Sequence, residues 1–216
     1  MSNPTATAPV LPAATNASLI ESLRKPVSRI FGLAWLAAAL LAKPDGFNHG
    51  WYIPVQLVGF FLLIAAAMGR LWAYAYIGGR KNAELCREGP YALTRNPLYV
   101  FSFVGVIGAC LALEIPSLCV ISVVFYLGYY ALVIRAEEKR LSALFGSAFT
   151  DYCAKVPRFW PKFGRPKMDD RNLALPSRLF MRTMMEVFWF LAAIVFIEGI
   201  EAAKEAGWWY LVPTPF

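Results

Sequence analysis

The sequence predicts an all-α polytopic membrane protein with about five transmembrane helices. Three observations carry this expectation. The 216 residues are 58% hydrophobic and 16% charged, with a mean hydropathy of +0.50, whereas a soluble domain is about 45–50% apolar and about 25% charged. Five apolar segments recur along the chain, against the roughly 20 residues that a helix needs to cross a bilayer core, the third of them short. If those segments alternate across the membrane, nineteen of the 21 lysines and arginines fall on one side, which is the positive-inside bias. The formal net charge of +7 then reads as topology, and no nucleic-acid partner is expected.

The elements follow in order. Residues 1–20 carry no charge and are rich in Ala, Pro and Thr. They lack the basic region and apolar core of a signal peptide, and read as a disordered N-terminal tail. Residues 21–78 hold the first two spans, about 27–43 and 51–77. Residues 79–161 hold a polar loop, a helical hairpin of spans at about 98–113 and 115–134, and an acidic helix. The hairpin is joined only by Glu114, Ile115 and Pro116. Residues 162–216 form a polar loop and a fifth span at about 179–200, which carries Arg182, Glu186 and Glu198.

On the expected topology the N-terminus and residues 135–178 share the cytoplasmic face, the loop near His49 is outside, and only Lys43 and Lys204 are outer basic residues. Trp51, Tyr52, Trp208, Trp209 and Tyr210 fall at outer interfaces, where amphipathic rings collect. Arg70 lies about two turns inside its span; snorkelling to the interface is the favoured reading, with a functional intramembrane charge the alternative. Cys86, Cys110, Cys119 and Cys153 show no C-x-x-C spacing and His49 is the only histidine, so neither a metal site nor a disulfide framework is expected.

Two polar stretches exceed what a connecting loop needs. Residues 87–101 read REGPYALTRNPLYVF, with two arginines, two tyrosines and two prolines. Residues 135–161 read RAEEKRLSALFGSAFTDYCAKVPRFWP. In the second, Leu141, Leu144, Phe145, Ala148, Phe149 and Tyr152 recur at helical spacing, and Glu137 and Glu138 flank that stripe. The two acids suit a solvated helix start, with Glu138 paired to Arg135, or a site. Gly146 marks a bend, and Val156-Pro157 ends the segment.

Together the two stretches resemble the isoprenylcysteine carboxyl methyltransferase and phospholipid methyltransferase group of integral membrane enzymes. That group carries G-x-Y-x-x-x-R-H-P-x-Y, a helical hairpin, then E-E-x-x-L-x-x-x-F-G-x-x-Y-x-x-Y and a V-P-R-like ending. Here Gly89, Pro90, Tyr91, Arg95, Asn96, Pro97 and Tyr99 stand for the first motif, and Glu137, Glu138, Leu141, Phe145, Gly146, Phe149, Tyr152, Val156, Pro157 and Arg158 for the second. Three positions depart from it. Asn96 replaces the usual histidine, which removes imidazole chemistry and leaves a hydrogen-bonding side chain. Phe101 replaces a common glycine and is expected to narrow the cleft. Phe149 replaces the first of the two later tyrosines.

The resemblance implies S-adenosylmethionine as cofactor, bound on the cytoplasmic face. It implies cofactor-binding roles for Gly89, Pro90, Tyr91, Arg95, Asn96, Tyr99, Glu137 and Glu138, and catalytic roles for Arg95, Glu138 and Arg158. An arginine suits the cofactor carboxylate, a glutamate its ammonium, and tyrosine rings its sulfonium. For Arg158, orienting an anionic acceptor and contacting a lipid phosphate are both open. The expected partners are the bilayer and a lipophilic acceptor: a prenylcysteine carboxylate, a phospholipid amine or another hydrophobic molecule. A carboxylate is already nucleophilic and tolerates the missing histidine. Two alternatives remain at this point: an NADPH-dependent membrane reductase related to the sterol reductases, and a non-enzymatic protein on a decayed methyltransferase fold.

Overall fold

The computed structural model describes residues 16–41, 52–80, 82–113, 115–162, 164 and 177–207. They form six α-helices: α1 (Asn16–Leu41), α2 (Tyr52–Ile77), α3 (Pro97–Leu113), α4 (Pro116–Phe145), α5 (Ser147–Lys155) and α6 (Ser177–Glu205), with a 3₁₀ turn at Gly89–Ala92 before α3. Three of them contain stretches long and apolar enough to cross a membrane, Ile53–Ile77, Pro116–Phe145 and Phe180–Ala203. Two shorter apolar helices, Pro26–Leu41 and Pro97–Leu113, complete the expected five. The protein is an all-α polytopic membrane protein.

Prolines set two of the helix starts. Pro97 opens α3 and Pro116 opens α4, positions where a fixed φ is already helical and the missing N–H has no partner to lose. Between the two helices lies extended Ile115, with φ −110° and ψ 92°, so the hairpin is as tight as the sequence implies. α2 and α3 are the most extensively packed pair. Glycine is required where they cross: a Cβ on Gly59 would sit 2.7 Å from the backbone of Gly108 and Ala112. α6 packs on α2 and α3, and α1 packs on α4. At the end of the bundle away from the polar loops, Ala39, Leu63, Leu113, Leu118 and Ile197 close a common core. There the Trp35 indole donates to Ser122 Oγ at 2.9 Å, and Gln56 Nε2 donates to Glu201 Oε2 at 2.6 Å. The outward faces carry exposed Phe61, Met68, Val120, Val124 and Val195, apolar surface suited to acyl chains.

Two expectations shift and a third holds. α1 begins at Asn16, so residues 16–20 belong to a helix and not to the tail; residues 1–15 lie outside the described residues. The fourth span and the acidic segment are one continuous helix, α4, because no glycine or proline interrupts residues 128–145 after Gly128. The bend expected at Gly146 is real: φ is 52° and ψ −128°, backbone that side chains disfavour. The loop near His49, and Trp51, Trp208, Trp209 and Tyr210, fall outside the described residues.

Candidate active site

The polar loop between α2 and α3 is fixed by the chain that follows α4. Gly89 has φ +57°, and a Cβ there would lie 2.5 Å from the Tyr76 ring, so only glycine lets the 3₁₀ turn close over α2. That turn buries Tyr91 against Tyr76 and Ala73. Residues 93–96 then run along 157–162. The Arg95 N–H donates to Pro157 O at 2.9 Å, and the Lys162 N–H to Leu93 O at 3.0 Å. Thr94 Oγ1 donates to Phe159 O at 2.9 Å, and Asn96 Nδ2 to Arg158 O at 2.9 Å. From α5, the Tyr152 hydroxyl donates to Tyr91 O at 2.7 Å. The V-P-R ending is thus a clamp on the first motif.

The charged groups divide into two layers. Behind the loop, Glu138 holds two arginines: Arg95 Nη1 is 2.8 Å from Oε1 and Arg158 Nη2 is 2.7 Å from Oε2. Glu138 therefore pairs with Arg95 and Arg158 and not with Arg135. Its hydrogen bond raises the Arg158 pKa above the ordinary guanidinium value. Arg95 Nη1 also donates to Cys153 Sγ at 2.8 Å. Glu137, one residue earlier and about 100° around the helix, points elsewhere. It accepts from the Tyr99 hydroxyl at 2.9 Å and lies 3.6 Å from Arg140.

Tyr91, Arg95, Asn96, Tyr99 and Glu137 line one cavity of about 430 Å³, within the range of about 300–1,000 Å³ common for small-molecule sites. Leu141 and Tyr152 add to the same wall. Gly89, Pro90, Glu138 and Arg158 do not line it; Gly89 and Pro90 shape the turn, while Glu138 and Arg158 brace the wall from behind. Nor does Phe101 narrow it. Phe101 lies against Gly69 of α2, where a Cβ would sit 2.1 Å from its ring, so the larger side chain at one position is matched by a glycine at the other. Phe149, the other replacement, is buried with Tyr152 and Val156.

The cavity has a second polar wall that the motifs do not cover. Arg70 does not snorkel: its guanidinium donates to Ser102 Oγ and to Glu186 of α6, with Leu98 O a further acceptor at 3.4 Å. The Tyr74 hydroxyl donates to Glu186 Oε1 at 3.0 Å, and Arg182 Nε lies 3.9 Å from the same oxygen. Arg70, Tyr74, Arg182 and Glu186 all line the cavity, as do Ser28 and Arg29 of α1. The readable signal was an arginine and a glutamate inside two apolar spans, where an unpaired charge is costly.

Three donors on residues that line the cavity are left over. The Tyr91 hydroxyl, Arg70 Nε and Arg95 Nε are buried without a hydrogen-bond partner. Burial pushes the Tyr91 phenol pKa well up, so at neutral pH it keeps its proton. Buried donors without partners cost free energy unless something else accepts from them.

Residues 53–148 match the phospholipid methyltransferase family, and the chain belongs to that family of membrane methyltransferases. The match takes in α2, the motif loop, the α3–α4 hairpin and the start of α5. The chain is 33% identical over 174 residues to the nickel-cobalt-cadmium resistance protein NccN of Alcaligenes xylosoxydans xylosoxydans, covering 81% of this chain and 74% of that protein. It is 30% identical over 176 residues to the cobalt-zinc-cadmium resistance protein CzcN of Cupriavidus metallidurans, covering 81% of each. No solved structure matches it significantly.

Proposed function

We propose that this protein is an S-adenosylmethionine-dependent methyltransferase that modifies a lipophilic acceptor, through a carboxylate, at the cytoplasmic surface of the membrane. The observation that carries the reading is the convergence of Tyr91, Arg95, Tyr99 and Glu137 on one cavity, from two motifs that a hairpin separates in sequence. An anion, a cation and aromatic rings around one volume match a molecule bearing an ammonium, a carboxylate and a sulfonium. When bound, that cofactor supplies an electrophilic methyl group.

The chain's own residues do the holding. Glu137 accepts from the ammonium, its carboxylate already oriented by the Tyr99 hydroxyl. Arg95 offers its remaining N–H donors to the carboxylate, its position set by Glu138, and the Tyr91 hydroxyl gains the acceptor it lacks. The Tyr91 and Tyr99 rings present π faces to the sulfonium, a contact of about 0.5–2 kcal/mol. A carboxylate acceptor needs no base, in keeping with the asparagine at position 96. Glu138 and Arg158 are positioning residues here, because both sit behind the wall. The two relatives are named for resistance to metal ions, and a role of the methylated product in such resistance belongs to this reading.

Calorimetry of the detergent-purified protein tests it. S-adenosylmethionine and S-adenosylhomocysteine should bind at one site each and compete, while NADPH should not bind. Binding of NADPH in their place would instead favour a reductase, and binding of none of the three would leave the cavity without this function.

A further inference from the structure

The motif-built wall accounts for one side of the cavity only. The same cavity is also lined by Arg70, Tyr74, Arg182 and Glu186, and by Arg29 of α1. Arg70 and Tyr74 between them occupy both oxygens of Glu186. With the Glu186 charge already paired, the most exposed charges of this wall are positive: the Arg182 guanidinium, 69% exposed at the side chain and 3.9 Å from Glu186, and exposed Arg29 of α1. Three arginines against one glutamate leave an excess of positive charge. A cationic head group would meet repulsion from the arginines and a carboxylate whose charge is already paired, whereas an anionic one meets exposed donors.

The surface beside Arg182 specifies the rest of the ligand. Met185 and Trp189 follow it at i+3 and i+7, on the same face of α6, and both are exposed, at 51% and 66%. A charged head at Arg182 and an apolar stripe running from it into the bilayer are the two halves of an amphiphile site.

We propose that the α6 face Arg182–Met185–Trp189, backed by Arg70 and Glu186, is the acceptor subsite, and that it takes a lipophilic monocarboxylate, the carboxylate at Arg182 and the chain along Met185 and Trp189. This rests on the methyltransferase reading for its choice of carboxylate, but the binding it describes needs no cofactor. Glu186 is a positioning residue in it: it sets Arg70 and Arg182, and its neutral amide would release them.

The test is a binding titration in nonionic detergent without cofactor, using dodecanoate, methyl dodecanoate, dodecylamine and dodecyl phosphate. Dodecanoate should bind saturably, and the ester and the amine about tenfold more weakly or not at all, the loss of one charge-assisted contact. Arg182→Gln should weaken dodecanoate about tenfold yet leave the ester unchanged, and Arg182→Lys should restore part of the loss. S-adenosylmethionine affinity should be the same in all three proteins, which separates this subsite from the cofactor wall. Equal binding of ester and acid, tighter binding of the amine, tighter binding of the phosphate (a lipid-phosphate contact in place of an acceptor site), or an Arg182→Gln protein that binds dodecanoate normally would each overturn the assignment, even with cofactor binding intact.

Discussion

Arg95 and Glu138 meet at 2.8 Å with side chains 14% and 11% exposed, one within the first motif and the other in the last quarter of α4. This buried pair, extended by Arg158, is the joint that makes a single site from two stretches of sequence. Removing one member leaves a charge without its partner in a desolvated place. Glu138→Gln should therefore cost stability, about 3 kcal/mol, read as a lowered unfolding temperature in detergent.

Glu137→Gln should behave differently. Glu137 lines the cavity, and its carboxylate is held by the Tyr99 hydroxyl and the partly exposed Arg140, so the amide should lower the unfolding temperature less than Glu138→Gln does and weaken S-adenosylmethionine binding by about tenfold or more. Lys139→Gln, on the exposed face of the same helix, is the control and should change neither quantity; Arg140 cannot serve, because it sits beside Glu137.

Tyr91→Phe removes a buried hydroxyl with no partner. The cofactor-free protein should gain up to about 1 kcal/mol and the cofactor should bind more weakly. A gain in stability together with a loss in affinity, measured by thermal unfolding and calorimetry on the same preparation, is the expected signature.

Gly69 and Phe101 should be energetically coupled. Gly69→Ala drives a methyl into the ring and should cost about 1–3 kcal/mol. Combining it with Phe101→Ala, which removes the obstruction, should cost less than the two single losses added together. A double-mutant cycle of unfolding free energies measures the difference.

Cysteine accessibility in intact cells checks the orientation. Position 48 should label from outside and position 16 should not, following the one-sided distribution of lysines and arginines. The reverse pattern would invert the proposed cytoplasmic site.

Much of the first wall was legible because motif spacing and the tight hairpin impose it. Glu114, Ile115 and Pro116 leave no room for anything but an antiparallel return, so Tyr99 and Glu137 had to approach each other. Which acid faces the cavity was not legible, since neighbours on a helix differ only by rotation and α4 shows no break to fix its phase in the sequence. Arg70 was misread for a related reason. Its partner, Glu186, lies in a span beyond the motifs, and without that partner an arginine two turns from a helix end looks like an interfacial anchor. The Gly69–Phe101 exchange was invisible in the same way, because a change at one position makes sense only beside its spatial neighbour.

The backbone contact between α2 and α3 at Gly59 and Gly108 has a mechanical corollary. With no side chains between them at that crossing, the two helices have little room to slide or rock there, and they form a stiff mast to which the motif loop is tied at both ends. α6 leans on this mast directly and α1 by way of α4. Breathing that admits a bulky guest is therefore expected of those two outer helices, while the cavity wall carried by the motif loop stays still.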